Sequence, residues 1–172
     1  MNNRRTKDKQ RPTGGHYAKL RPDWMLRGWS DQPIVAVNWR TGAEHKLTPE
    51  GFYVARSCDG RTSFEGLAFM PEHRSILAWL VAQGLAERCP KADPISVWQR
   101  YRRAPNPRIT GILWSITGGC NLRCLHCFME SPSARFGQLP LAAMVRLVEQ
   151  FARANVLDVT LTGGEPFLRQ DI

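Results

Sequence analysis

Three cysteines crowded into one short stretch constrain this chain more than any other feature. Cys120, Cys124 and Cys127 are spaced by three and then two residues, and they follow an apolar run at 111–117. Thiolates this close together in sequence can ligate a single compact inorganic centre. In a cubane iron–sulfur cluster, three thiolates would leave one iron without a protein ligand.

Two other uses of the cysteine loop (residues 120–127) fit less well. A structural zinc site has four closed ligands, usually in two pairs that are separated in sequence. The nearby fourth candidate is His126, which directly adjoins Cys127. Ferredoxin loops supply four cysteines per cluster, an arrangement that is closed to substrate. The loop therefore favours an iron–sulfur centre with an open iron.

The Cys-x-x-x-Cys-x-x-Cys pattern of this loop resembles the signature of radical S-adenosylmethionine (SAM) enzymes. Some forty residues further on, the segment Gly163-Gly164-Glu165-Pro166 (the GGEP segment) is similar to the family's segment that holds the methionine moiety of SAM. The resemblance implies a 4Fe-4S cluster on the three cysteines and SAM as cofactor. It also implies that an external donor supplies an electron, that SAM is cleaved to a 5′-deoxyadenosyl radical, and that this radical takes a hydrogen atom from substrate.

Individual residues of the two motifs have physical uses and plainer alternatives. Gly163 and Gly164 lack Cβ atoms, so they allow a close backbone approach to a ligand at a strand end, although such pairs also mark ordinary turns. Glu165 can position the SAM amino group or remain solvated. His126 stands where many family members carry an aromatic residue, and its ring either packs near the adenine or fills space as a neutral histidine.

Length and cysteine usage set limits on the whole chain. With 172 residues it has room for one domain or two small ones. Its cysteine count is odd, and Cys58 and Cys89 show no disulfide-like spacing, which favours a reducing cytosol. No apolar run approaches the roughly 18 residues that cross a bilayer. We expect a soluble, cytoplasmic protein with no membrane partner.

The formal charge of +9 raises the question of a nucleic-acid partner. Much of the excess lies in residues 4–11 and 100–108, which are rich in proline or polar residues. The rest of the chain lacks the basic–aromatic interleaving of RNA-binding modules. An acidic peptide is therefore a better partner than nucleic acid.

The front of the chain predicts a basic disordered tail over residues 1–19 and a small domain over 20–88. Residues 34–39 and 44–48 read as a hairpin, to which a third strand can be added. Thr48 should cap a helix that runs to Ser57, Thr62 should cap a second short helix, and Pro71 should open a third. The third helix is apolar almost all round, so we expect it to be covered on two sides. Asp59-Gly60 should interrupt the secondary structure.

Strands followed by three helices predict a winged-helix-like (α+β) domain. The stretch Cys58-Asp59-Gly60-Arg61-Thr62 resembles a turn of the PqqD-like family, the RiPP recognition elements, which bind leader peptides of ribosomally made precursors. In that family Cys58, Asp59, Gly60 and Thr62 would shape the fold and would not bind peptide.

A leader peptide could add to an exposed strand edge and place apolar residues against the third helix. Alternatively, that helix only covers its own core. The candidate peptide-binding residues are Glu44, His45, Lys46, Leu47, Ile76, Trp79 and Leu80.

Residues 89–109 contain four prolines and read as an interdomain linker. Residues 110–172 predict one βαβ unit, the α/β class, with a strand at 111–117, a helix after Pro140 and a strand at 156–162. In the helix, Met144, Leu147, Val148 and Phe151 fall on one face, and Asn155 is a candidate left-handed C-cap. By resemblance this is the start of a partial (β/α)6 radical SAM barrel.

The sequence thus predicts a radical SAM maturase that binds the leader of a precursor peptide and modifies its core. One alternative is a radical SAM enzyme that acts on RNA or a cofactor precursor. Another is a peptide-binding module attached to an incomplete enzyme. Since only the first βαβ unit of a barrel is recognisable, we expect the chain to be an N-terminal fragment that is inactive alone.

Overall fold

A computed structural model describes residues 16–109, 111–130 and 137–172, and these residues form two compact units. The first unit comprises the described residues up to Arg27 together with Ile34–Tyr101. The second comprises Gly28–Pro33 together with the described part of Arg102–Ile172. Most of the predicted tail, residues 1–15, lies outside the described residues.

The first unit contains two antiparallel sheets and three helices. One sheet has the order β4 (Glu44–Lys46), β3 (Val35–Asn38), β2 (Trp24–Gly28), and the other has the order β5 (Asp59–Ser63), β1 (Tyr17–Leu20), β6 (Ala86–Cys89). The helices are α1 (Pro49–Ser57), α2 (Phe64–Leu67) and α3 (Pro71–Ala82).

Several local predictions are confirmed in this unit. The hairpin pairs Val37 with Glu44, and β2 adds the third strand. Helix α1 begins at Pro49 behind its cap Thr48, whose Oγ1 accepts a 3.0 Å hydrogen bond from the amide of Gly51. The cap of α2 is Ser63, one residue after the predicted Thr62. Each described helix is too short or too polar to traverse a bilayer.

The sheet of β5, β1 and β6 contradicts two sequence predictions. Strand β1 begins at Tyr17, inside the predicted tail, and its residues Ala18 and Leu20 are fully buried. Asp59 and Gly60 begin strand β5, where the sequence predicted an interruption of secondary structure. Both strands were hard to foresee because their partners are distant in sequence and their side chains are mostly polar or small.

Helix α3 is less covered than its sequence suggested. Leu77 and Leu80 are buried, whereas Trp79 and Val81 are about two-fifths exposed. The prediction of cover on two sides is therefore wrong for the described residues. The buried face packs into a core that also includes Leu20, Leu26, Val54, Cys58, Phe64 and Leu85.

The predicted linker is mostly folded structure. The first unit extends to Tyr101, with Ile95 and Gln99 buried. The Gln99 amide donates to the carbonyl oxygens of Arg21 (2.9 Å) and Trp24 (3.1 Å). Residues 89–101 are thus part of the first unit, because their buried groups find partners there.

The second unit contains the predicted βαβ arrangement. Strand β8 (Ile112–Thr117) lies parallel to β9 (Val159–Gly163), and α4 (Leu141–Arg153) connects them. A short strand, β7 (Arg102–Arg103), precedes them. Of the predicted apolar helix face, Met144 is buried, and Val148 is exposed.

Residue Asn155 anchors the end of α4. Its φ of 54° is left-handed, as predicted for the residue that ends the helix. Its buried side-chain amide donates to the carbonyl oxygens of Gly28 (3.0 Å) and Arg102 (3.1 Å). The fully buried Trp29 donates from Nε1 to the carbonyl oxygen of Ala154 at 3.2 Å. These bonds explain why Gly28–Pro33 belongs to the second unit.

Candidate functional site

The cysteine loop and the GGEP segment follow adjacent parallel strands. The loop begins three residues after Thr117, the last residue of β8, and Gly163 is the last residue of β9. Carboxyl ends of parallel strands meet at one edge of a sheet, where α/β folds place their sites. The strand register, which pairs Thr117 with Gly163, brings the two motifs together.

Backbone hydrogen bonds join the two motifs. The amide of Gly164 donates to the carbonyl oxygen of Thr117 at 2.9 Å. The amide of Glu165 donates to the carbonyl oxygen of Gly119, next to Cys120, at 2.8 Å. The GGEP segment therefore continues the pairing of the two strands beyond their ends.

The two glycines are required by this close approach. Gly163 has a φ of 140°, and a Cβ on it would lie 2.2 Å from the carbonyl oxygen of Thr117. A Cβ on Gly164 would lie 2.1 Å from the Gly119 carbonyl oxygen and 2.9 Å from Cβ of Cys120. The sequence predicted that these glycines allow a ligand to approach the backbone closely. In the structure they make room for the backbone that leads into the cysteine loop.

Glu165 has a structural task of its own. Its carboxylate accepts a 3.0 Å hydrogen bond from the amide of Phe167 and so caps the single 3-10 turn Pro166–Leu168. The side chain is half-buried. The cap fixes the carboxylate of Glu165 close to the strand ends.

The three cysteines lie in one loop, but their sulfur atoms are not close enough together to share a metal centre. Cys124 is exposed, Cys120 and Cys127 are half-buried, and Cys120 Sγ accepts a 3.4 Å hydrogen bond from the Leu122 amide. Across the described residues, no three His, Cys, Asp or Glu side chains lie close enough to hold a metal ion. The donor set itself, three accessible thiols in one loop, suits an iron–sulfur centre. Ligation by all three requires the loop to close.

Large apolar side chains in or next to the two motifs are exposed. Leu125, Phe128 and Phe167 are each more than nine-tenths exposed. His126, for which the sequence left open a place near the adenine or a space-filling role, is also exposed. Exposed apolar side chains therefore accompany both motifs.

Arg169 was not predicted from the sequence to belong to the site. Its side chain acts as a brace between the end of β8 and the segment before α4. Its side chain is buried, and it donates to the carbonyl oxygens of Ile116 (2.9 Å) and Leu139 (3.0 Å). It also pairs with the carboxylate of Asp171 at 2.7 Å, which lowers the pKa of that carboxyl group. Arg169 thereby ties the end of β8 to the residue that leads into α4. Nothing in the polar stretch around it signals that role.

A cavity of about 320 Å³ lies beside this brace. Ile116 and Leu139, whose carbonyl oxygens Arg169 holds, both line this cavity. The hydroxyl of Thr117 donates to the side-chain oxygen of Gln138, another lining residue, at 3.2 Å. Arg169 therefore connects two of the segments that line the cavity.

In the first unit, the structure brings together part of the predicted peptide surface. The His45 ring lies between Trp24 (5.5 Å between ring centroids) and Trp79 (5.4 Å). Strand β4, with Glu44, His45 and Lys46, is the last strand in its sheet order. Ile76 and Leu47 are partly buried against the core. Leu80 is fully buried, so its prediction as a peptide contact is wrong.

Comparison with known proteins agrees with the geometry of the second unit. Residues 114–172 match the Radical SAM superfamily. The match covers both strands, the cysteine loop and the GGEP segment. Among curated relatives of the chain, pre-heme d1 synthase from Dinoroseobacter shibae is 38% identical over 81 residues, which are 43% of this chain and 20% of that protein.

Two other curated relatives carry different names. GTP 3′,8-cyclase from Lactiplantibacillus plantarum is 43% identical over 34% of this chain and 18% of its own length. Mycofactocin maturase MftC from Mycobacterium tuberculosis is 33% identical over 35% of this chain and 15% of its own length. The chain thus spans about a fifth or less of the length of these relatives. The names of all three relatives are those of enzymes.

A likeness of fold extends further along the chain. The crystal structure of SuiB from Streptococcus suis bound to S-adenosylmethionine aligns with a TM-score of 0.55 over 90% of this chain and 38% of SuiB, at 14% identity. SuiB bound to its precursor peptide SuiA aligns with a TM-score of 0.54 over the same shares. The radical SAM segment and much of the first unit therefore share a fold with SuiB.

Proposed function

We propose that this protein is a radical SAM maturase that binds the leader of a ribosomally made precursor peptide and modifies its core. One observation carries the proposal: the fold likeness to SuiB covers 90% of the chain and so includes the first unit. A precursor peptide accompanies SuiB in one of its structures. The radical SAM segment alone would not separate peptide substrates from others.

In this proposal Cys120, Cys124 and Cys127 hold a 4Fe-4S cluster, and the GGEP segment with His126 holds SAM. When bound, the pair supplies a carbon radical that abstracts hydrogen. The chain's own residues position these groups: Gly163 and Gly164 let the two motifs meet, and Glu165 fixes the turn that follows. An external donor supplies the electron, and the cytoplasm is the compartment.

The first unit serves as the peptide-recognition domain, a PqqD-like element that we place at residues 20–88 and, on its packing, extend to Tyr17 and Tyr101 without Gly28–Pro33. The peptide adds as a strand to the edge of β4, and its side chains reach Trp79 and Ile76. Residues from 110 on form the first βαβ unit of a partial (β/α)6 barrel. A nucleic-acid partner is not part of this proposal.

A second candidate function follows from the names of the relatives. Pre-heme d1 synthase and the GTP cyclases are matched at similar identity to the peptide maturase. A radical SAM enzyme that acts on a cofactor precursor or on RNA would use the same second unit. The two functions differ in what the first unit does.

Hydrogen exchange of the backbone amides in β4 distinguishes these two functions. A precursor peptide, encoded by a small reading frame near the gene, should protect the amides of Glu44–Lys46 from hydrogen exchange, because strand addition pairs them. Trp79→Ala should weaken binding of that peptide about tenfold, since a large exposed ring is lost. Tyr53→Ala is the control, because it removes a different exposed ring, which lies on α1. Binding of RNA with a steep salt dependence and no protection in β4 would refute peptide recognition.

A further inference from the structure

The first unit contains a second cavity, of about 420 Å³, whose walls are unusually rich in arginine. Its volume is within the range of small-ligand sites. Its apolar residues Leu26 and Ile95 are buried and form the floor, whereas its arginines are exposed and form the walls. The lining residues are Leu26, Arg56, Asp59, Arg61, Ile95, Arg100 and Tyr101.

Three separate segments bring the arginines together. Arg56 stands in the last turn of α1, Arg61 in β5, and Arg100 directly after the 3-10 turn Val97–Gln99. In the part of the chain that the structure describes, none of the three guanidinium groups has a carboxylate within 4.0 Å. All three arginines are solvent-exposed residues that line one cavity, and like charges placed side by side repel each other unless an anion joins them.

The one carboxylate of the lining is already engaged. Oδ1 of Asp59 accepts 2.8 Å hydrogen bonds from the amides of Arg61 and Thr62. Asp59 therefore shapes the turn that carries Arg61, and it offsets only one of the three positive charges. The cavity keeps an excess of positive charge.

The walls of the cavity are held rigidly. Gly60 has a φ of 76°, and a Cβ there would lie 1.8 Å from the Asp93 carbonyl oxygen, so this turn is pressed against the following segment. On the other wall, the buried Arg27 donates to the carbonyl oxygens of Arg100 (3.0 Å) and Trp98 (2.6 Å). A site whose backbone is fixed before binding loses little entropy when it takes a ligand.

We propose that this cavity is an oxyanion site that takes a carboxylate side chain from an acidic segment of the bound peptide. The inference rests on the proposed function and names the charge that the peptide should carry. Guanidinium groups bind carboxylates by paired, charge-assisted hydrogen bonds. The apolar floor of Leu26 and Ile95 suits the methylene groups of a glutamate.

The arrangement favours a peptide over nucleic acid. A nucleic-acid backbone presents phosphates at regular intervals, and its binding sites are grooves or stripes of positive charge. Here the three arginines line one cavity, which suits a single oxyanion. Free phosphate shares that chemistry, so the experiment must separate it from a carboxylate.

The test uses the 172-residue chain and two fluorescently labelled ten-residue peptides, one of alternating Glu and Ala and one of alternating Gln and Ala. The Glu peptide should bind, and the Gln peptide should bind at least about tenfold more weakly. Arg56→Gln, Arg61→Gln and Arg100→Gln should each weaken the Glu peptide about tenfold or more. Arg40→Gln, the same chemical change at an arginine outside the cavity, should leave its affinity within about twofold.

Arg61→Lys separates a folding defect from a lost contact, because it keeps the charge and loses only the paired geometry. It should bind at an intermediate affinity, with circular dichroism matching the parent. Equal binding of the two peptides, or equal loss in Arg40→Gln, overturns the proposal. So does competition by inorganic phosphate or single-stranded RNA at lower concentration than the Glu peptide.

These outcomes are distinct from those that test the proposed function. Protection of Glu44–Lys46 by a precursor peptide in an Arg61→Gln chain, with no charge preference in the parent, would refute only the oxyanion site. A clear preference for the Glu peptide without any precursor-dependent protection in β4 would refute only the leader-binding proposal.

Discussion

The backbone amide of Glu165 lies 2.8 Å from the carbonyl oxygen of Gly119 and donates a hydrogen bond to it. The first of these residues follows β9, and the second precedes the first cysteine of the loop. Residues more than forty positions apart are therefore joined at the backbone before any cofactor is considered. A substitution that displaces one of these two segments should therefore displace the other.

Gly164→Ala should test that connection. The new Cβ would lie 2.1 Å from the Gly119 carbonyl oxygen and 2.9 Å from Cβ of Cys120, so the cysteine loop has to move. We expect a loss of about 1–3 kcal/mol in the free energy of unfolding and a reduced iron content after anaerobic reconstitution. Urea titration and iron and sulfide assays measure the two effects.

Gly137→Ala is the matched control for that substitution. Among the described residues, no atom lies within 4 Å of a Cβ added at this glycine, and its φ is not left-handed. Its iron content should equal that of the parent. If Gly164→Ala also reconstitutes fully, the close contact with the loop has no bearing on the cluster.

Cysteine substitutions should divide into two classes. Cys124→Ala should abolish the iron–sulfur absorption, because a cluster held by three thiolates loses one of its protein ligands. Cys58→Ala should retain it, since this thiol is fully buried and donates to the Val54 carbonyl oxygen at 3.3 Å. Stoichiometric zinc without sulfide in the reconstituted parent would contradict the cluster assignment.

Arg169→Ala should loosen the second unit. It removes hydrogen bonds to the carbonyl oxygens of Ile116 and Leu139, which are then left without this partner near the end of β8. We expect the melting temperature to fall by several degrees and the amides at the end of β8 to exchange faster. Asp171→Asn, which keeps these two bonds, should have a smaller effect on both measurements.

The buried thiol of Cys58 predicts a pH dependence. Burial, with a smaller contribution from the charge of Asp59, raises the pKa of this thiol from 9.0 to about 12. Between these values the unfolded chain loses the proton and the folded chain keeps it, so stability falls as pH rises above about 9. At pH 10.5 the loss should be roughly 2 kcal/mol relative to pH 8.

Urea titrations of the parent and of Cys58→Ala at these two pH values measure that loss. The variant lacks the thiol, so the part of the decline due to Cys58 should disappear. An identical decline in both proteins would show that other groups cause it.

Local signals in the sequence predicted the helices and the parallel strands well. Thr48-Pro49 marks the start of α1 through a side-chain cap and a proline at the first helical position, both of which act within four residues. The apolar run before the cysteine loop predicted β8, and Asn155 predicted the left-handed residue after α4. In each case the signal lies beside the element that it determines.

Features that depend on distant partners were missed. Strand β1 pairs with β5 and β6 at separations of forty residues or more, and its own sequence has no β-branched residue. Arg169 is recognisable as a brace only once β8 and the segment before α4 stand next to it. The convergence of Arg56, Arg61 and Arg100 likewise depends on tertiary packing that no single stretch encodes.

The interleaving of the two units has a practical consequence for building chimaeras. Because Gly28–Pro33 and its buried Trp29 belong to the second unit, the chain passes between units after Arg27, after Pro33 and after Tyr101. A graft that transfers residues 20–88 onto another enzyme would carry Trp29 without the carbonyl group that it binds and would omit Ile95 and Gln99. Successful transplantation of the first unit should therefore need a junction at Tyr101 and a replacement of the 28–33 loop by that of the recipient.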